Sequence, residues 1–196
     1  MPNPDLSILI IDENHLRASI IEDGLREAGH GRVAVMHDVN DVARTITNMS
    51  PDVIVIDLEN PKRDTLEHFF SLSRAVQRPI VMFVDRSDGT MIDKAVAAGV
   101  SAYVVDGLKK ERIKPILDVA ISRFHAFATL TRELAQARSE LEDRKIIDQA
   151  KAILIKTRGL SEADAYTLLR STAMNQNRRM VDIAQSLVTA ADLLGP

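Results

Sequence analysis

Hydrophobic residues in the first 105 positions come in short unbroken runs. "ILII" (8–11), "RVAVM" (32–36), "VIVID" (53–57), "IVMFV" (80–84) and "AYVV" (102–105) each have the length of a buried strand, and stretches of helical periodicity separate them. Segment 14–28 sets Leu16, Ile20 or Ile21, Leu25 and Ala28 on one stripe and stops at Gly29. Asp38 is placed to cap a helix over 39–49, and Asp88 precedes one that ends at Gly99. Strands alternating with helices predict an α/β fold with a parallel sheet covered on both faces. Right-handed crossovers leave the five-stranded doubly wound order 2-1-3-4-5 as the expected topology.

The pattern then changes. After Pro115 neither Gly nor Pro occurs until Gly159, and apolar residues fall at 113, 116 and 120, then 127, 130, 134, 137 and 141. Alternating spacings of three and four predict a two-stranded coiled coil, interrupted once by Arg123, with charged flanks in "LAQARSELEDRK". Leu134 and Leu141 lie beyond the point where a sheet-covering helix should stop, which favours a homodimer over a helix packed on its own sheet. From Arg144 the heptad slips, and Ile146, Ile147, Ala150, Ile153 and Leu154 form a broader stripe suited to a small bundle. After a turn at "RGLS", Ser161 caps a helix with Asp164 three residues on and Ala165, Leu168, Leu169 and Thr172 inward. "NQN" (175–177) breaks it, and a last helix carries Met180, Ile183, Ala184, Leu187, Val188, Ala191 and Leu194 on its apolar side. Tyr166, spaced with Leu169 and Ala173, is expected in the core. The expected division is 1–120, a linker helix at 121–143, and a C-terminal module at 144–196.

Composition removes several chemistries. Without cysteine there are no disulfides, thiolate nucleophiles or cysteine zinc sites, and the five histidines lack metal-ligand spacing and are expected mostly at the surface. The run at 8–11, ended by Asp12 and Glu13, is too short for a signal-peptide core or a membrane span, so cytoplasmic residence is expected. The net charge of −3 is uneven: residues 144–196 carry +3 and the remainder −6. A positive tail module on an acidic body points weakly toward nucleic acid.

"VIVIDLEN" (53–60) stops its aliphatic run at Asp57 and adds Glu59, while "ILIIDEN" (8–14) ends in Asp12 and Glu13. In the expected strand order these strands are neighbours, so their acids converge beyond the carboxyl edge of the sheet. Three carboxylates there repel unless a cation such as Mg²⁺ or a basic side chain sits among them.

With these motifs, residues 5–120 resemble the receiver domain of bacterial response regulators, which has a flavodoxin-like fold. The resemblance implies that Asp12 and Glu13 are metal-side acids, that Asp57 is the phosphoacceptor, and that the Glu59 backbone carbonyl is a further ligand of Mg²⁺. Other positions depart from the family. Val84, followed by Asp85, stands where a phosphoryl-binding Thr or Ser is expected, with Ser87 set too late. Asp106-Gly107 replaces Lys-Pro, so an anion stands where a lysine is expected, and Lys109 and Lys110 are placed to begin the next helix. A phosphoryl group would add charge to an already acidic pocket, so Asp57 is expected to be vestigial as an acceptor and the fold to serve as a protein-binding scaffold. Tyr103 matches the family's switch aromatic and also suits simple strand packing.

"DQAKAILI", "GLSEADAYTLLRSTAM" and "NRRMVDIAQSL" resemble the ANTAR module of transcription antiterminators of the AmiR–NasT family. That resemblance implies a homodimer, joined through the coiled coil, that binds stem-loops in nascent leader mRNA and prevents terminator formation. The genes implied are those of nitrate and nitrite assimilation, under control of a nitrate-sensing regulatory partner (NasS-like), with no membrane involvement and no enzymatic step. Lys151, Lys156, Arg158, Arg170, Arg178 and Arg179 are the candidate RNA contacts, with Arg178 and Arg179 the foremost pair. The alternative is a phosphorylation-activated DNA-binding response regulator, but too little chain follows "RRMVDIAQSL" to supply a recognition helix. A phosphohydrolase reading lacks a His nucleophile or a Gly-rich phosphate loop.

Overall fold

The computed structural model describes residues 6–59 and 61–194, apart from the side chains of Asn40 and Leu194. It divides into two compact units, one up to Ala128 and one from Thr129.

In the first unit, strands β1 (Ser7–Ile11), β2 (Arg32–Met36), β3 (Val53–Leu58), β4 (Ile80–Val84) and β5 (Ala102–Val105) form one sheet in the order β2-β1-β3-β4-β5, all parallel. Both the α/β class and the doubly wound order are as expected. The aliphatic runs are unbroken because both faces are covered. Leu9, Ile11, Ile54, Ile56 and Met82 enter one core with Leu66, Phe69 and Phe70 of α3 (Arg63–Ala75) and Ala95 of α4 (Gly89–Ala97). Ile8, Ile10, Val55 and Phe83 enter the other, with Ile21 and Leu25 of α1 (His15–Glu27) and Ile113, Leu117 and Ala120 of α5 (Lys110–Arg158). Gly24 lets α1 approach α5 closely, since a Cβ there would lie 3.0 Å from Ile113 Cδ1 and 3.2 Å from the Lys110 carbonyl.

Local signals held at some ends and not at others. Asp88 caps α4 by accepting from the Met91 amide, 2.9 Å. The helix expected over 39–49 begins as a single 3-10 turn (Val39–Asp41), and its α-helical part, α2 (Val42–Met49), has no side-chain cap bond at Asp41. Leu16, expected on the buried stripe of α1, is exposed. The buried face runs through Ala18, Ile21, Gly24 and Leu25 instead. His30 is buried rather than at the surface.

Helix α5 begins at Lys110 and accommodates Pro115 near its start. Beyond the sheet its apolar residues Phe127, Leu130, Leu134 and Leu141 face solvent, 53 to 70% exposed. In the second unit the end of α5 joins α6 (Glu162–Asn175) and α7 (Met180–Leu194) around Ala150, Leu154, Ala165, Leu169 and Ala184. Small residues at three of these five positions let the helices close tightly. Ser161 caps α6 as expected, its hydroxyl accepting from the Asp164 amide and donating to the Asp164 carboxylate, 3.2 and 2.6 Å. Leu194, expected on the apolar side of α7, lies outside the described side chains. Tyr166, expected in the core, is 43% exposed, at the lip of a cleft of about 370 Å³ that includes Ile147 and Met180. No described helix is long and apolar enough to cross a membrane.

Candidate functional site

Strand register builds the first site. Ile11 pairs with Ile56, which sets Asp12 and Asp57, each one residue further on, side by side at the carboxyl edge. Leu58 pairs with Val84, so Asp85 arrives at the same edge from β4. Asp12 and Asp57 are both buried, whereas Glu13 and Glu59 are exposed. Asp12 Oδ1 accepts from the Asn14 amide, 2.8 Å, while its Oδ2 is buried with no hydrogen-bond partner. Burial, opposed by that amide bond and reinforced by the nearby Asp57 charge, pushes the Asp12 carboxyl up to about 6.

The counter-charge is Arg17, a residue that the sequence reading passed over. Its Nε and Nη2 donate to Asp57 Oδ2 and Oδ1 at 2.6 and 2.8 Å, and its Nη1 lies 2.8 Å from Asp85 Oδ1. The Asp57 bonds above all, with the Asp85 pair adding, hold the guanidinium protonated far beyond its ordinary range. Arg17 is placed by the start of α1, where the Asn14 side chain accepts from the Leu16 and Arg17 amides and donates to Glu59 Oε2, 3.1 Å. His37 Nδ1 donates to the Asp12 carbonyl, 2.7 Å, and its ring lies against His15 at 3.7 Å between centroids.

Neither lysine near α5 supplies this charge, for Lys110 pairs with Glu27 at 2.6 Å and Lys109 is exposed. Val84 is buried in the sheet, Asp106 is exposed, and the Ser87 and Tyr103 hydroxyls bond each other at 2.9 Å. Tyr103 also packs against the core beside Phe70.

Of the side chains that the resemblance assigned to Mg²⁺, Asp12 and Asp57 lie together and Glu13 is exposed. The unpartnered Asp12 oxygen suits a cation, but both Asp57 oxygens are taken by Arg17 and Glu13 is turned out to solvent. Among the described residues no group of three His, Asp or Glu side chains could hold a metal ion.

In the second unit the six candidate cations separate into two kinds. Lys151 is half-buried and pairs with Asp148 and Glu162, both at 2.8 Å, which ties α5 to the start of α6. Arg179 pairs with Asp182 at 2.9 Å, and Arg178 donates to the Asp182 carbonyl and the Ser186 hydroxyl, both at 3.3 Å. Arg178 and Arg179, the foremost expected pair, are thus engaged locally while still exposed. Lys156, Arg158 and Arg170 are exposed and make no ion pair among the described residues.

A parallel five-stranded sheet with an acid cluster at its carboxyl edge, followed by a long helix and a small helical module, defines a signal-receiver protein with a helical output unit. The response regulator receiver domain model matches residues 8–118, and the ANTAR domain model matches residues 135–188. The chain belongs to the response regulator receiver family, in the group that ends in an ANTAR domain. It is similar to the transcriptional regulatory protein PdtaR of Mycobacterium tuberculosis, 27% identical over 178 residues, with 91% of this chain and 87% of that one covered. It is also 38% identical over 80 residues to the nitrate regulatory protein of Klebsiella oxytoca, covering 41% of this chain and 20% of that one. The response regulator receiver domain protein of Methanospirillum hungatei shares the fold, with a TM-score of 0.54 and 14% identity over 62% of this chain and 98% of that one.

Proposed function

We propose that the chain is an RNA-binding transcription antiterminator, whose C-terminal module binds stem-loops in nascent leader mRNA and prevents a terminator hairpin from forming. The observation that carries this reading is the match of the ANTAR model to a folded three-helix unit with unpaired cations on its surface. Lys156, Arg158 and Arg170 are the proposed phosphate contacts, Arg178 and Arg179 secondary ones, and Lys151 a brace between helices. Dimerisation through the exposed stripe of α5 would set two such units side by side, matching paired stem-loops. The likeness to a nitrate regulatory protein supports nitrate and nitrite assimilation genes as the target and a nitrate-sensing protein as the partner that restrains the chain. In this reading the site is not enzymatic, the protein acts in the cytoplasm, and the receiver acids 12, 13, 57 and 59 serve the fold rather than catalysis.

Binding of a leader stem-loop RNA and of a duplex DNA of the same sequence, across a range of salt, tests the proposal. The RNA should bind more tightly. Changing Lys156, Arg158 and Arg170 together to Gln should weaken RNA binding at least tenfold and flatten the log-salt slope by about 2 to 3 per protomer, as each neutralised phosphate contributes about 0.7 to 0.9. Preference for the duplex, or an unchanged salt slope in the triple variant, would count against the reading.

A further inference from the structure

Asp12, Asp57 and Asp85 meet at one edge of the sheet, and a cluster of this kind needs positive charge among its members. That charge can come from solvent as a divalent ion, or it can be carried by the chain. Here the chain carries it. All three guanidinium nitrogens of Arg17 are bonded to carboxylates, two to Asp57 in the paired fork that a carboxylate fits best and one to Asp85.

The placement of Arg17 strengthens the point. It lies in the first turn of α1, where the helix dipole disfavours a cation, so its charge gains nothing from its own helix and is stabilised by the carboxylates it meets. The cap that starts this helix is part of the same bonded group. Asn14 donates its amide to Asp12, its side chain donates to Glu59, and it accepts from the Arg17 amide. The acids, the helix start and the cation are thus positioned together.

We propose that Arg17 is the resident cation of this pocket, standing where a divalent metal would and closing the Asp57 carboxylate to both metal and phosphoryl group. A Mg²⁺ ion on Asp57 would sit beside a fixed positive charge, and it would have to give up water for ligands that are already occupied. Phosphorylation would need both Asp57 oxygens released from the fork, and among the described residues Asp57 has no ion-pair partner other than Arg17, with Lys110 held by Glu27. The receiver would therefore keep its form without metal or phosphate, leaving its state to contacts made elsewhere. This holds whatever the C-terminal unit binds.

Thermal unfolding and calorimetry of the full chain test this, in EDTA and then with about 10 mM Mg²⁺ at matched ionic strength, with and without beryllium fluoride as a phosphoryl mimic. The wild-type melting temperature should stay within about 1 °C across these conditions. Arg17→Gln should gain a Mg²⁺-dependent rise, with Mg²⁺ bound at least tenfold more tightly than by wild type, and Asp57→Asn added to it should remove the gain. Equal Mg²⁺ affinity in wild type and Arg17→Gln, whether both bind or neither does, would overturn the assignment. If Arg17→Gln does not fold, the wild-type chain carries the test alone. The Arg17 Nε–H signal in nitrogen-edited NMR should remain protected from solvent exchange through the Mg²⁺ titration, and its loss at millimolar Mg²⁺ would refute the proposal.

Discussion

Leu134 offers the most direct check on how the two-stranded assembly would form. Its side chain is 53% exposed on a helix with no covering element, and it occupies the middle of the stripe that runs from Phe127 to Leu141. Full burial of a leucine stabilises by about 1.5 to 3 kcal/mol, so covering the exposed half is worth about 1 kcal/mol, or about 2 kcal/mol for the two copies facing each other in a dimer. Leu134→Ala should therefore weaken dimerisation about 30-fold. Leu134→Asp adds the cost of two like charges brought together in a seam from which water is excluded, several kcal/mol more, so the dimer dissociation constant should rise by at least about a thousandfold. Sedimentation equilibrium across a concentration series measures both variants. The far-UV circular dichroism of the receiver unit should survive, because Leu134 lies outside that compact unit. A dimer constant within threefold of wild type for Leu134→Asp would show that the stripe is not the seam.

Two further expectations concern the cores. Asp12 has a folded-state carboxyl raised to about 6 from an ordinary 3.8, so the folded chain binds its proton more readily than the unfolded chain does, and stability from this group is lost as pH rises through that window. In EDTA, Asp12→Asn should be more stable than wild type by about 1 to 2 kcal/mol at pH 7.5, with the difference shrinking at pH 5. Urea midpoints measure this, and a wild type more stable than Asp12→Asn at pH 7.5 would contradict it. Leu169→Ala should cost the C-terminal unit about 2 to 4 kcal/mol, since Leu169 is buried among Ala150, Leu154 and Ala184. Hydrogen exchange of the α6 and α7 amides reports it, and a loss under about 1 kcal/mol would mean that the three helices are held mainly by something else.

The sheet was legible because unbroken aliphatic runs have few uses other than as strands covered on both faces, and because crossover handedness leaves few orders in which to pair them. The acids at the carboxyl ends of β1 and β3 were legible because each interrupts an aliphatic run and the strand order makes the two runs neighbours, although the burial of Asp12 and Asp57 was not. The stripe of α5 and the Ser161 cap were also readable, being matters of spacing along one helix. What escaped was the partner of Asp57. The family pattern places a cation after β5, where Lys109 and Lys110 stand, but Lys110 pairs with Glu27 and Arg17 reaches across from α1. The same helix shows why. Spacing along α1 misplaces one edge of its buried face, at Leu16, and in any case carries no information on how far the Arg17 side chain reaches or which acid it meets. Tyr166 and the pairing of Lys151, Arg178 and Arg179 were missed alike, for periodicity tells which residues share a face but not how the helices of a small bundle close. Local pattern thus determined the elements, their caps and the strand edge where charge gathers. Which oppositely charged groups meet was decided by helix rotation and strand register, because a charge pair depends on distances of a few ångströms between residues 40 positions apart, as Arg17 and Asp57 are.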